Sequence, residues 1–255
     1  MMPYEREMLI ARAAAVSAGE TALRYRGNGF AVETKADESP VTEADRACEA
    51  QIAGMLERAF PQDGVLGEEG ALKQSHSGRR WIIDPIDGTR DFIRGNRLWA
   101  TLIGLEDHGE VVAGVAHFPA LAETYCASLG LGSYRNDSRI SASGTSELAQ
   151  AVFCFNGIQH IIRWPGRDRL LDFCAQCWAI RSMGGAPDAM LVSSGKADCW
   201  LEMSAKPWDL AALKIIAEEA GARFFNLDGG SSIQGGNCLI CAPGLERAIR
   251  EALLD

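Results

Sequence analysis

Asp84 and Asp87 stand three apart in the stretch Trp81-Ile82-Ile83-Asp84-Pro85-Ile86-Asp87-Gly88-Thr89. Trp81, Ile82 and Ile83 read as a short buried strand, because aromatic and β-branched side chains suit a covered pleated surface. Asp84 then falls at the strand end. Pro85 has no N–H for a ladder, and Gly88 accepts a turn that a Cβ would resist. The two carboxylates are thereby held close on a stiff backbone, with the Thr89 hydroxyl one step beyond. Such a pair repels itself unless a proton or a cation intervenes. Carboxylate, carbonyl and water oxygens suit magnesium, calcium or manganese. Magnesium sites commonly add substrate phosphate to a few carboxylates. A lone D-x-x-D is more often an acidic surface turn. Here two further acidic islands change the balance: Glu68-Glu69 after the apolar Val65-Leu66, and Asp209 in Pro207-Trp208-Asp209-Leu210.

The 255 residues carry a net charge of −9 and no basic cluster. Nucleic-acid binding through phosphate neutralisation is therefore not expected. An acidic protein acting on phosphorylated molecules needs metal ions to bridge the like charges. The start, Met1-Met2-Pro3-Tyr4-Glu5-Arg6-Glu7, lacks the basic segment and apolar core of a signal peptide. No apolar run reaches the roughly 20 residues of a membrane span. These features point to a cytoplasmic protein with no membrane contact. Cys174–Cys177 and Cys238–Cys241 each fit C-x-x-C. Cys238 and Cys241 lie in an apolar run that reads as a buried strand, where residues three apart face opposite sides and cannot share a zinc ion. They read instead as small buried hydrophobes.

The elements that must position these acids follow from periodicity. A helix is expected from Glu5 to about Arg26, closed by Gly27-Asn28-Gly29. Lys35 to Asp45 reads as a polar loop leading into a helix capped by Thr42, running to Phe60 before Pro61. Gly64 to Glu69 reads as a strand that delivers Glu68 and Glu69, and Gln74 to Arg80 as a loop. Thr101–Glu106 and Val111–Phe118 around Asp107-His108-Gly109 predict a β-hairpin, with Glu123–Ser128 continuing the sheet. Strand and helix alternate after Ser141, and Asp209 enters at the first turn of the helix from Pro207. Such alternation implies layered sheets covered by helices. The expected organisation is an N-terminal α+β half over residues 1–140 and a C-terminal α/β half over 141–255.

The three acidic islands, in this order and spacing, resemble the inositol monophosphatase family of metal-dependent, lithium-sensitive phosphatases. Its pattern is a strand-end Glu-Glu, then D-P-[IL]-D-G-T, then a late W-D at a helix start. The resemblance spans nearly the whole chain. It implies an α/β (α+β) fold, a layered α/β/α/β/α sandwich of the inositol monophosphatase and sugar phosphatase type. It implies hydrolysis of a phosphate monoester with two or three Mg²⁺ ions, Mn²⁺ being able to substitute. Glu68, Asp84 and the Ile86 carbonyl would hold a first ion, and Asp84, Asp87 and Asp209 a second. Glu68 and Thr89 would orient and deprotonate the attacking water, and the amides of Gly88 and Thr89 would cradle the phosphate. Asp45 would help hold a further ion through water, on a mobile loop that includes Lys35. Gly185 and Ala186 would line the substrate pocket through their backbone, and Glu202 would contact substrate beside Asp209. Relatives are commonly homodimers, and some moonlight with transcription machinery.

Within that family the sequence looks most like the histidinol-phosphatase branch, the expected partner being a small phosphorylated metabolite of histidine biosynthesis. Arg90 follows the D-G-T, Ser39 to Asp45 match its S-P-V-T-E-A-D loop, and Lys206 to Asp209 match its K-P-W-D. Two positions depart from it. Asp91 stands where the branch often has a small residue, and Ala186 where it commonly has an Asp suited to a cationic amino alcohol. Asp188 or Glu202 could replace that Asp. The alternatives are an inositol-1-monophosphatase, a nucleotide 3′-phosphatase or sugar bisphosphatase, and a non-catalytic metal-binding regulator.

Overall fold

Alanine packs the first helix. α1 (Glu5–Asn28) buries Ala11, Ala14, Ala15, Ala18 and Ala22 along one side. The coordinates are those of a computed structural model that describes residues 3–36 and 38–254, so Asp37 of the expected polar loop lies outside the described residues. Strands β1 (Val32–Thr34) and β2 (Pro40–Thr42) pair antiparallel as a small ribbon. Helix α2 (Glu43–Ala59) follows directly. The Thr42 hydroxyl accepts the Ala44 and Asp45 amides, while Asp45 Oδ2 accepts the Thr42 amide at 2.8 Å. This reciprocal cap satisfies donors that a helix start would otherwise leave open.

The next elements are β3 (Gly64–Gly67), β4 (Leu72–Lys73), β5 (Arg79–Asp87), α3 (Thr89–Ile93), β6 (Ala100–Asp107), β7 (Glu110–Phe118), β8 (Glu123–Ser128), β9 (Gly132–Arg135) and β10 (Ser138–Ile140). Their strands form one eight-stranded sheet in the order β10-β9-β8-β7-β6-β5-β3-β4. All pairs are antiparallel except β3 with β5. The hairpin of β6 and β7 forms as its alternation predicts. The second half supplies β11 (Val152–Asn156), α4 (Ile158–Ile161), α5 (Arg167–Cys174), β12 (Ala179–Arg181), α6 (Gly185–Ser193), β13 (Cys199–Glu202), α7 (Pro207–Glu219), β14 (Arg223–Phe225), β15 (Cys238–Cys241) and α8 (Glu246–Leu253). Its five strands run in the order β12-β11-β13-β15-β14.

Side-chain alternation along the strands separates the layers. In β5, Trp81 and Ile83 pack under α1 and α2, whereas Ile82 faces the core shared with α7. In β15, Cys238 and Ile240 face α6 and α7, whereas Leu239 and Cys241 face α5 and α8. The stack is therefore α1/α2, large sheet, α6/α7, small sheet, α5/α8: the five-layer sandwich expected. The two cysteines of Cys238-Leu239-Ile240-Cys241 do point into different cores, and all eight cysteines are free. None of the described helices is long and apolar enough to cross a membrane.

Two glycines set the height of α7. Gly104 and Gly114 are cross-strand partners on β6 and β7. A Cβ at Gly104 would lie 2.6 Å from Ala211 Cβ, and one at Gly114 would lie 2.9 Å from Ala212 Cα. The bare backbone lets α7 lie directly on the large sheet, with its N-terminus level with the end of β5. Asp209 and the Asp84 turn come from opposite halves of the chain and meet there.

Candidate active site

β5 does not end at Asp84 as expected. It continues through Pro85 to Asp87, with a shift of register against β6 between those two acids. The Pro85 carbonyl, turned out of the ladder, accepts the Thr101 hydroxyl at 2.9 Å. A bulge of this kind re-aims side chains at a strand terminus. Asp84 Oδ1 accepts the Ile86 amide at 3.0 Å. Gly88 follows in the left-handed region at φ 87 and starts α3. Asp87 Oδ2 accepts the Ala186 amide at 3.2 Å from the first turn of α6. Asp209, in the first turn of α7, accepts the Lys206 amide at 2.7 Å.

One carboxylate oxygen from each of Asp84, Asp87 and Asp209 lies within 4.8 Å of the others. Asp84 is 2 % exposed. Burial and the nearby charges of Glu68, Asp87 and Asp209 raise its pKa well above the ordinary carboxylate range. Burial also raises Asp87 and Asp209, and neighbouring acids push both further. Three acids that all resist ionisation side by side fit a divalent cation, and their all-oxygen donor set is the kind magnesium takes.

Glu68 and Glu69 follow β3 in a turn rather than inside the strand. Glu68 lines the same cleft as the three aspartates. Lys35 reaches both glutamates, its Nζ 2.8 Å from Glu68 and 2.7 Å from Glu69. Burial alone would lower the Lys35 pKa, but the two ion pairs hold it above its usual value. Burial pushes Glu69 up to about 7 in spite of Lys35. An ammonium group thus already sits on the acid expected to hold the first ion. Beneath the turn, Glu49 of α2 accepts the Glu69 amide at 2.8 Å and the Ala71 amide at 2.7 Å. The sequence reading missed Glu49. Its only signal was a carboxylate one helical turn after Asp45 on the buried face of α2.

Asp45 is fully buried. Its Oδ2 is committed to the cap of α2 and its Oδ1 accepts the Thr89 hydroxyl at 3.3 Å. Thr89 also lies 3.2 Å from the Ile86 carbonyl. The structure therefore joins Asp45 to Thr89, a link the sequence did not suggest. The cleft has a volume of about 300 Å³. Glu68, Asp84, Ile86, Asp87, Gly88, Thr89, Arg90, Gly185 and Asp209 all line it.

Two expected pocket residues sit differently. Ala186 is buried and gives its amide to Asp87, so that N–H is not open to a ligand. Glu202 is 4 % exposed and accepts Asn156 Nδ2 at 2.8 Å and the Ser204 amide at 3.1 Å. Asn156, not Glu202, lines the cleft. Asp188 does not serve as a substitute pocket acid either. It is buried, and its carboxylate accepts the Met183 and Gly184 amides at the entry to α6.

The family model that matches this chain, over residues 5–254, is that of the inositol monophosphatase family. The chain belongs to the inositol monophosphatase family. It is accordingly a phosphoric monoester hydrolase. The histidinol-phosphatase of Mycobacterium tuberculosis is 37 % identical over 91 % of this chain and 92 % of that protein. The inositol-1-monophosphatase of Mesorhizobium japonicum is 34 % identical over 94 % of this chain and 93 % of that protein. Among solved structures, the extragenic suppressor protein SuhB from Bartonella henselae matches with a TM-score of 0.89, at 30 % identity and 98 % coverage of both chains. Family membership accounts for the five layers and for the meeting of β5, β3 and α7 at one cleft.

Proposed function

We propose that this phosphatase hydrolyses histidinol phosphate to histidinol and phosphate, using Mg²⁺. The carrying observation is the convergence of Glu68, Asp84, Asp87 and Asp209 on one cleft, in a chain 37 % and 38 % identical to proteins named histidinol-phosphatase. Asp84, Asp87 and Asp209 would hold one ion, and Glu68, Asp84 and the Ile86 carbonyl another. Bound there, divalent cations supply positive charge against the phosphoryl oxygens and lower the pKa of water.

The chain's own groups do the rest. The Thr89 hydroxyl, held between Asp45 Oδ1 and the Ile86 carbonyl, orients the attacking water and passes a proton toward Asp45. Buried Asp45, whose pKa burial raises, is suited to accept it. The amides of Gly88 and Thr89 face the phosphate at the start of α3. Arg90 stands exposed at the cleft rim and meets the outer part of the substrate. Lys35, from the turn between β1 and β2, covers Glu68 until a metal ion takes that carboxylate.

A cytoplasmic homodimer is part of the same proposal. Trp178 and Met183, 72 % and 45 % exposed, flank one groove beside β12 and are the apolar surface a second copy would cover. Sedimentation of the parent and of Trp178→Asp tests this. A monomer for the parent removes it.

Inositol 1-phosphate is the second reading. Gly184, Gly185 and Pro187 place no charged side chain on their stretch of wall, which suits a neutral polyol. Phosphate release on histidinol phosphate, inositol 1-phosphate and adenosine 3′,5′-bisphosphate, in Mg²⁺ and in EDTA, separates these readings. A Mg²⁺-dependent preference for histidinol phosphate is expected. A preference for either other substrate would overturn the substrate assignment and leave the phosphatase chemistry in place.

A further inference from the structure

The cleft lining contains five carboxylates: Glu68, Asp84, Asp87, Asp91 and Asp209. Four of them form the acid cluster proposed to hold metal. Asp91 is the fifth. It lies in α3, four residues after Asp87 and past the left-handed Gly88, and its charge is among those that raise the Asp87 pKa. It is half-buried. Its neighbour Phe92 is fully buried and anchors the short helix in the core. Asn96 fixes the carboxylate: Nδ2 donates to Asp91 Oδ1 at 2.7 Å, and the Asn96 amide donates to the Asp91 carbonyl at 2.9 Å. Among the described residues, Asp91 Oδ2 has no hydrogen-bond partner. The other acids near the substrate wall are spent: Asp188 on two backbone amides, Glu202 on Asn156 and Ser204.

Resting on the substrate reading above, we propose that Asp91 selects phosphate monoesters of amino alcohols. Its free carboxylate oxygen receives the substrate's ammonium group while the phosphate lies at the acid cluster. The arrangement is favourable for three reasons. The carboxylate is pre-oriented, so little rotamer freedom is lost on binding. It is partly shielded from water, so a charge-assisted hydrogen bond there exceeds one at an open surface. It lines the same cleft as the acid cluster, so one substrate can reach both.

The test compares kcat/KM for histidinol phosphate with that for its N-acetyl derivative, which keeps the phosphate and ring but loses the charge. The parent enzyme should prefer the free amine by about ten-fold or more, the size of one charge-assisted hydrogen bond. Asp91→Asn keeps an acceptor for Asn96 but loses the charge, and its preference should fall toward one. Asp91→Glu should retain part of it. A preference that survives in Asp91→Asn would overturn the assignment. So would a parent enzyme that does not distinguish the two compounds. Because the readout is a ratio within each variant, a general loss of activity or stability does not mimic the result. If the parent enzyme leaves histidinol phosphate untouched, the substrate reading fails by itself. The same ratio on ethanolamine phosphate and N-acetylethanolamine phosphate then reads Asp91 alone.

Discussion

Glu68 and Glu69 meet an ammonium group from their own chain, whereas Asp84, Asp87 and Asp209 meet backbone amides and one another. Glu68 and the three aspartates line the same cleft. The glutamates sit in a turn after a short strand, and their counter-charge arrives on the turn that follows β1. The aspartates sit on a bulged strand and a helix start, held by the two layers that bury the largest core of the protein. One group has a built-in, removable cation, and the other has repulsion that only a proton or an external cation relieves. Under the proposed function the two would have separate tasks: the aspartates would hold metal, and the glutamate turn would change partner.

The largest expected effect comes from breaking the aspartate side. Asp84→Asn should lower phosphatase kcat/KM on the order of 10³-fold or more, since in the proposed site charge stabilisation at the reacting phosphoryl group would rest on it. The same change removes one repelling charge from a buried site. The variant's EDTA-treated form should therefore melt no lower than the parent's, and Mg²⁺ should no longer protect it. Activity close to the parent in saturating Mg²⁺ would remove Asp84 from the site.

Thr89→Val separates chemistry from metal binding within the same cluster. It deletes the hydroxyl that joins Asp45 to the Ile86 carbonyl and leaves every carboxylate in place. A loss of about 10²-fold in kcat is expected, with the Mg²⁺-induced rise in melting temperature retained. Loss of both together would make Thr89 part of the metal site's scaffold.

Melting curves against pH sharpen the comparison further. Asp84, Asp87 and Asp209 all have folded-state pKa values raised above the unfolded ones. The metal-free fold is then fully stable, as far as these groups are concerned, below the ordinary carboxylate range. It loses stability as pH rises through their folded values, because the unfolded chain ionises them freely. In EDTA the melting temperature should fall from pH 5 to pH 8. Mg²⁺ needs the ionised acids, so its protection should grow over the same range. At about 100 times its dissociation constant a ligand adds about 2.7 kcal/mol, or roughly 5–10 °C for a domain of this size. Parallel curves with and without Mg²⁺ would contradict the cluster's assignment.

The parts legible in the sequence are those where one residue type leaves few options. The alternation around Asp107-His108-Gly109 admits a hairpin, and the buried run Cys238–Cys241 admits two-faced packing; both formed. The Asp84 turn was legible because Pro85 restricts the backbone and Gly88 permits a left-handed turn, although the strand continues through the bulge instead of ending at Asp84. What could not be read is where a buried carboxylate finds its partner. Glu49, Asp188 and Glu202 look alike in sequence, three acids beside apolar residues. Glu49 pins the Glu69 turn, Asp188 caps α6, and Glu202 holds Asn156. Each answer depends on which backbone amides the fold leaves open nearby, and no local pattern encodes that. The Asp45–Thr89 contact likewise joins residues 44 apart, through two layers that the helix and strand periods specify only separately.

The smallest effect tests the glutamate side. Lys35 is the only cation paired with Glu68 among the described ion pairs, and Glu69 is nearly buried against it. Lys35→Gln leaves a side chain of similar reach without the charge. Glu68 then loses its competitor for an incoming ion, so half-maximal Mg²⁺ protection should occur at a lower concentration. A shift of roughly 3–10-fold corresponds to one partly screened ion pair released. The metal-free form should lose stability in the same variant, because Glu69 is left buried without its counter-charge. The opposing signs are the informative part. If Lys35 merely anchors a loop, both metal affinity and metal-free stability fall together. If it holds the place of a cation, affinity rises as stability falls, and the difference between the two acidic groups becomes a property of one lysine.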